Sequence, residues 1–437
     1  MNRMFVRTAQ LRTTALTAGI ACLIWAVSVH AQSARADALQ LGDVTNIARQ
    51  NRAEVTVARA RAEALAQRPA IVGALEDPMI SPALDHYPFD MPEEGGEMGE
   101  AGSGRRYDWS ISVEQRFPLS RVRGFRRASA QADAQRAQAL AEGTELDVVL
   151  EAQRSFFMLL ERRRMRRVFE EQLLLAQQLV DAASSRYANG IGSQADVLRG
   201  EVEVARLRGK QQALAAQIRG AEAMLNASLG REPQDAVPEL VYVPSRDMPL
   251  DAQTAVERAL ANRPELAAGE AEVRRAAAET EVMRSMYKPM AMVRVGRAST
   301  MAEGPGGMVM IGVSVPIWRE RLRAGVAEGR AMQRMADADL SAMRLMIQGE
   351  TIAAREAATA ARIQLVVLED EVMPRAQAAT ESALAGYSSG QGTLVAVIES
   401  ARTLWDVQEE ELMTQTALGE ARSRLDRALG GSRRTAP

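Results

Sequence analysis

The feature that most limits what this chain can fold into is a glycine-bearing stretch that occurs twice. Tyr187-Ala-Asn-Gly-Ile-Gly-Ser-Gln-Ala-Asp-Val-Leu198 returns two hundred residues later as Tyr387-Ser-Ser-Gly-Gln-Gly-Thr-Leu-Val-Ala-Val-Ile398. Each copy interrupts a long helical pattern that restarts at once. Glycines in such a break supply the φ > 0 conformations that a tight helix reversal needs, so each copy predicts the tip of a helical hairpin. The repetition extends beyond the tips. Leu39-Gln-Leu-Gly-Asp-Val-Thr-Asn-Ile-Ala-Arg-Gln-Asn-Arg-Ala-Glu-Val55 returns as Leu250-Asp-Ala-Gln-Thr-Ala-Val-Glu-Arg-Ala-Leu-Ala-Asn-Arg-Pro-Glu-Leu266, and Phe117-Pro118-Leu119 as Val315-Pro316-Ile317. A tandem duplication accounts for all three matches. It predicts repeats at 37–230 and 250–430, a proline-rich linker or equatorial segment at 231–249, and a disordered tail at 431–437.

The arms of the hairpins read as coiled coil. In the first returning arm Val197, Val204, Ile218 and Leu225 recur at multiples of seven, with Leu207, Leu214 and Ala221 three residues behind. The second arm keeps the frame with Val397, Leu404, Leu418 and Leu425, and with Val407, Ala421 and Ala428. This is an a/d heptad, and even its polar interruption is shared, Gln211 against Glu411. The outgoing arm holds no proline from Gly124 to Tyr187, and an unbroken helix of that size would reach roughly 95 Å. Its expected apolar seam is Phe157, Leu160, Val168, Leu175, Leu179 and Ala182. The run Arg162-Arg-Arg-Met-Arg-Arg167 within it is expected to be an exposed face.

Ahead of each hairpin the period changes to two. Trp109, Ile111, Val113 and Phe117 alternate with Ser110, Ser112, Glu114 and Arg116, the pattern of a strand with one apolar and one polar face. In the second half Ala291, Val293 and Val295 alternate with Met290, Met292, Arg294 and Gly296. After a short turn, Val309, Ile311, Val313, Val315 and Ile317 alternate with Met308, Met310, Gly312 and Ser314. The matching strand at 78–87 is interrupted by Pro82, and the Gly, Glu and Pro-rich residues 88–106 predict an exposed loop. Strands of about ten residues are long enough to cross a bilayer when tilted. Four of them cannot close a barrel, because an open edge leaves backbone groups unpaired in lipid. Either several chains share one barrel, or the sheet is a small soluble one with a wet face.

The N-terminus reads as an export signal at 1–36, with Arg3, Arg7 and Arg12 before an apolar run and small-residue cleavage positions at Ala31 and Ala36. The only cysteine, Cys22, lies inside it, and Gly19 together with the apolar run beyond Cys22 argues against lipidation. Thiol and disulfide chemistry therefore leave with the signal. Its removal takes four arginines and no acid, leaving 50 basic against 56 acidic residues, which gives no reason to expect nucleic-acid binding. No later segment is apolar enough to cross a membrane as a helix. No catalytic constellation, phosphate-cradling loop or cofactor motif is present, and the chain is not expected to be an enzyme.

The duplicated Asn-Arg-(Ala/Pro)-Glu signature, a strand pair in each half, and the Tyr-x-x-Gly-x-Gly tips followed by Asp196-Val197-Leu198 or Ala396-Val397-Ile398 together resemble the TolC-like outer membrane efflux proteins. The resemblance covers essentially all of the chain after the signal. It implies a mainly α fold with a membrane β-barrel portion: a homotrimer whose twelve strands close one barrel in outer-membrane lipid and whose long helical hairpins form a periplasmic tunnel. It implies as partners a periplasmic adaptor, or membrane fusion protein, and an inner-membrane pump of the RND type. It places Gly190, Gly192, Gly390 and Gly392 at adaptor-contacting tips. Carried over position by position, it makes Tyr387 and Asp196 a tie that closes the periplasmic mouth and Glu399 a carboxylate of the mouth ring. Gly392 and Ala396 depart from members that carry an arginine and an acid there.

By strand parity Met290, Met292, Met308 and Met310 share the face opposite the apolar one, toward the interior of a barrel. Thioethers favour soft ions such as Cu(I), and Pro88-Phe-Asp-Met91 with Gln115-Arg-Phe-Pro118 resembles the heavy-metal branch of the family. Methionine is also an ordinary adaptable filler. The expected function is the exit duct of a tripartite efflux system, with metal cations such as copper or silver as one class of cargo. The alternatives are a type I protein-secretion channel and a periplasmic coiled-coil scaffold or adaptor that never enters the membrane.

Overall fold

The computed structural model describes residues 38–85, 108–243, 247–300 and 304–431. The export signal, the whole 88–106 loop and the tail beyond Gly431 lie outside the described residues. In chain order the elements are β1 (Ala38–Gln40), α1 (Leu41–Asn51), α2 (Ala53–Gly73), β2 (Met79–Asp85), β3 (Asp108–Pro118), α3 (Val122–Ala188), α4 (Gln194–Ser228) and β4 (Glu239–Val241). They continue as α5 (Ala252–Asn262), α6 (Pro264–Ser285), β5 (Met290–Thr300), β6 (Gly304–Ser314) and α7 (Arg319–Val367). A π turn (Leu368–Val372), α8 (Met373–Ser388) and α9 (Leu394–Ala428) complete the chain. They group into two compact units, each drawing on both halves of the sequence. One takes the chain up to Val55, Thr144–Asn262 and Ile347 onward; the other takes Thr56–Gly143 and Arg263–Met346.

The first unit is helical, built on the α3–α4 and α8–α9 hairpins. Its largest core packs Phe156, Phe157 and Leu159 of α3 against Leu214, Ile218 and Leu225 of α4, with Leu412 of α9 and with Leu39 and Leu240. The heptad positions behave as their spacing requires: Val204, Leu207, Leu214, Ile218, Ala221 and Leu225 are buried, as are Val397, Val407, Leu418, Ala421, Leu425 and Ala428. The seam of α3 shifts by one residue along its second half: Val168 and Leu175 are half-buried while Phe169 and Ala176 are buried. Ala182 is exposed and Ala183 buried, because a 3.6-residue helix drifts against a strict heptad over so many turns.

Leu39 and Leu240 belong to a feature the periodicity did not announce. β1 and β4 pair in parallel as a two-stranded sheet beside the helical core. Arginines of the 162–167 run hold this segment, which corrects the expectation of an exposed face. Arg163 donates to the carbonyls of Val237 and Pro238 and pairs with Glu222, Arg164 donates to the Tyr242 carbonyl, and Met165 is buried. The Tyr242 ring meets Phe157 edge-on at 4.8 Å. Only Arg166 and Arg167 of the run are exposed. Burial, and secondly Arg167, hold the Arg164 guanidinium below its ordinary range.

The outgoing arms of the two hairpins also differ. α3 is continuous for 67 residues. Its counterpart breaks step at the π turn, where Met373 N–H reaches back to Leu368 O and Pro374 follows. Proline has no N–H to donate and crowds the carbonyl four residues before it, and a widened turn relieves both problems within the helix.

In the second unit β2, β3, β5 and β6 form one antiparallel sheet in that order. Pro82 lies in β2 opposite Ile111 and does not end the strand, which within the chain pairs with β3 alone. Pairing Met79 with Glu114, Glu114 with Arg294 and Arg294 with Met310 fixes the faces of all four strands. Ile80, Leu84, Ile111, Val113, Phe117, Val295, Val309, Ile311 and Val313 are exposed on one side. The sheet has two open edges, the outer sides of β2 and β6.

Candidate functional site

The tips are built alike. After α3, Gly190 (φ +73°) lets Ile191 N–H return to Arg186 O at 3.0 Å; after α8, Gly390 (φ +81°) lets Gln391 N–H return to Gly386 O at 3.0 Å. This is the Schellman closure of a helix, which no β-carbon-bearing residue enters cheaply. Gly192 and Gly392 are needed for space: a β-carbon would stand 3.0 Å from Tyr187 N in one and 2.9 Å from Tyr387 N in the other. Ser193 Oγ then caps α4 through Asp196 N–H, and Thr393 Oγ1 caps α9 through Ala396 N–H.

The duplicated tyrosines have opposite fates. Tyr187 is half exposed, whereas Tyr387 is buried with Leu179, Ala183, Leu394, Val397 and Ile398. Its direct partner is Arg186, which the sequence reading missed. The Arg186 guanidinium lies 4.8 Å from the Tyr387 ring centre and donates to the Tyr387 carbonyl at 2.9 Å. Burial pushes the Tyr387 phenol above its ordinary value; Arg186 opposes that shift and the nearby Asp196 charge adds to it. The Asp196 carboxylate itself pairs with Arg199 at 3.4 Å and sits in the first turn of α4, where the helix dipole favours it.

Glu399 is exposed on α9. It lines a cleft of about 280 Å³ together with Arg199, Val202, Glu203, Ile398 and Arg402. Within that cleft the buried Glu203 of α4 accepts from Arg402 of α9, and its own-helix neighbour Arg206 stands at 3.5 Å. Seven residues on, Lys210 of α4 meets Glu409 of α9 at 2.9 Å. The paired helices are thus tied by two ion pairs at heptad spacing with reversed signs. That repeat of seven was the available signal for finding them.

In the sheet unit Met290, Met292, Met308 and Met310 share the polar face, as their register requires. They are interleaved with other chemistry. Arg294 stands directly opposite Met310, and Gly312 opposite Met292. On the same face Glu114, only 4% exposed, accepts from Arg116 at 3.1 Å through one oxygen and from Arg294 through the other. Among the described residues no group of histidine, cysteine, aspartate and glutamate is arranged to hold a metal ion. No described helix is long and apolar enough to cross a membrane.

A sheet bare on its apolar side, carried by a chain with two glycine-tipped helical hairpins, defines the class: a channel protein of the outer membrane. The chain belongs to the outer membrane efflux protein family, whose model matches residues 44–231 and 255–431. It is 27% identical over 298 residues to the cobalt-zinc-cadmium resistance protein CzcC of Cupriavidus metallidurans, covering 67% of this chain and 70% of that one. It is 24% identical over 417 residues to the pyoverdine export outer membrane protein OpmQ of Pseudomonas putida, covering 90% and 86%. The solved outer-membrane channel OprN superposes with a TM-score of 0.77 at 16% identity, over 90% of each chain. The protein is accordingly an outer-membrane efflux channel with a periplasmic helical tunnel, an exit duct of a tripartite system, and family members of this kind are trimers that work with an adaptor and an inner-membrane pump.

Proposed function

We propose that three copies of this chain close one twelve-stranded barrel, joining β2 of each to β6 of the next, and that the duct conducts passively, with no catalytic step. The observation that carries this reading is the sheet itself. Its exposed apolar face suits lipid, its polar face suits a water-filled lumen, and both of its edges are open. The repeats at 37–230 and 250–430, joined by 231–249, are the units of this design.

At the periplasmic end the four tip glycines, Gly190, Gly192, Gly390 and Gly392, form the surface offered to the adaptor, and an RND-type pump supplies the cargo. Tyr387, Asp196 and Glu399 belong to the gate, extended by Arg186, Glu203 and Arg402. Burial of Tyr387 under Arg186 and the α4–α9 ion pairs support this reading, since parting the hairpins would break each of them.

The methionine row and the likeness to CzcC support heavy-metal cargo; the likeness to the pyoverdine export protein OpmQ supports a pyoverdine-like cargo instead. Purified from membranes, the protein is expected to be a detergent-dependent trimer that conducts in a planar bilayer. A soluble monomer that never inserts would point to the periplasmic scaffold. Deletion of the gene is expected to lower tolerance to copper, silver, zinc or cobalt; unchanged metal tolerance beside lowered drug tolerance removes the metal cargo and leaves the duct.

A further inference from the structure

We propose that Arg116 and Arg294, fixed on the buried Glu114, form a cationic belt inside the barrel that favours anionic over cationic cargo. The proposal rests on the duct reading and adds to it the charge class of what passes.

The register puts the three groups together. Glu114 and Arg294 are cross-strand partners on β3 and β5, and Arg116 is the next β3 residue on the same face. One carboxylate holds two guanidiniums, one on each oxygen, which leaves one positive charge per chain. Glu114 is buried, yet the side chains of Arg116 and Arg294 remain 55% and 32% exposed, so the surplus charge faces water at a fixed place.

No strand residue of that face near the cluster is a carboxylate, and just outside the strands Asp77, two residues before Met79, and Lys288, two before Met290, offset one another. Around the cluster stand Met79 and Ser81, Ser112, Met292 and Gly296, and Met308, Met310 and Gly312, all uncharged. Arg297 has the opposite parity, on the side of Ile111. Within the strands the next charges on the polar face are Asp85 and Asp108, paired at the far end. They lie six residues from Glu114 along β3, about 20 Å away at ~3.4 Å per residue. That exceeds two screening lengths of about 8 Å at physiological ionic strength. Three chains thus put three net positive charges at one level of a low-dielectric wall, which concentrates anions and repels cations there.

The belt bears on the metal reading. A bare divalent cation is repelled beside the four methionines, whereas a metal held in an anionic complex, or a carboxylate-bearing organic molecule, is attracted. The same triad could serve only to pin β3 to β5, as cross-strand ion pairs do, and ion selectivity separates the two roles.

The test is the reversal potential of the purified trimer in a planar bilayer under a KCl gradient, centred on 0.1 M so that screening stays moderate. Arg116→Gln leaves the Glu114–Arg294 pair intact and takes the belt to neutrality; the chloride-to-potassium permeability ratio is expected to fall at least about threefold. Glu114→Gln raises the belt to two charges per chain and is expected to move the ratio the other way. Arg294→Lys keeps the charge and is expected to keep the ratio. Conducting trimers whose ratio ignores both Arg116→Gln and Glu114→Gln overturn the belt while leaving the duct standing. A wild-type protein that never conducts overturns the duct, and the belt with it.

Discussion

The ion pair between Arg402 and Glu203 offers the most direct test of how the hairpins are held together. Replacing Arg402 by alanine removes the inter-helix partner of a carboxylate that is only 6% exposed. Breaking a fully buried pair on one side costs about 3–5 kcal/mol. Two features of this site reduce that figure. Arg402 is itself 44% exposed, and Arg206 remains 3.5 Å from the same carboxylate. A cost of about 2 kcal/mol is the reasonable expectation, close to a thirtyfold change in an equilibrium constant. The cost falls on the state in which α4 and α9 lie together, because parted helices return Glu203 to water. Arg402→Ala is therefore expected to shift the closed-to-open ratio about thirtyfold toward open, read as open probability in single-channel recordings. The double variant with Glu203→Gln should cost less than the two single changes summed, since each removes the same contact. A closed fraction equal to wild type in Arg402→Ala, or strict additivity in the cycle, would refute the tie.

Two further outcomes are expected in the helical unit. Burial raises the Glu411 carboxyl above its ordinary value, and the Glu369 charge adds to the rise, while Gln415 opposes it. A raised carboxyl binds its proton more tightly in the folded state, so stability increases as pH falls through the folded value toward the unfolded one. Glu411→Gln is thus expected to raise the melting temperature at pH 7 and to flatten the gain on acidification, followed by circular dichroism in detergent; a lower melting temperature at pH 7 would contradict this. At Gly419 a β-carbon would stand well inside contact distance of the ring of Phe157, which is fully buried and has nowhere to turn. Gly419→Ala gains helix propensity but overpacks the core, and a net loss of about 1–2 kcal/mol is expected by thermal denaturation.

What the sequence revealed was whatever local periodicity encodes. Val204 to Leu225 announce their burial at seven-residue spacing, and Val309, Ile311 and Val313 announce their common face by alternation, because helix and strand geometry act over a few residues. The glycine tips were legible for the same reason. What stayed hidden depends on partners far apart in the chain. β1 and β4 are three residues each and meet across about two hundred, too short for a pattern and too distant for a turn signal. Arg163 and Arg164 read as solvated because nothing nearby tells that carbonyls of residues 237–242 come to them. The tips show both cases: Tyr387 stands out in its repeated motif, while its contact with Arg186 became visible only when the two tips were seen together.

The open edges of β2 and β6 carry a genetic consequence. A barrel closed by three identical chains has every seam between two of them, so a lesion in one edge strand damages a seam wherever that chain is incorporated. In a cell making intact and damaged chains equally and mixing them at random, only roughly one trimer in eight would be wholly intact. A substitution that unpairs a single strand edge would then behave as dominant, its harm multiplied by assembly rather than diluted by it.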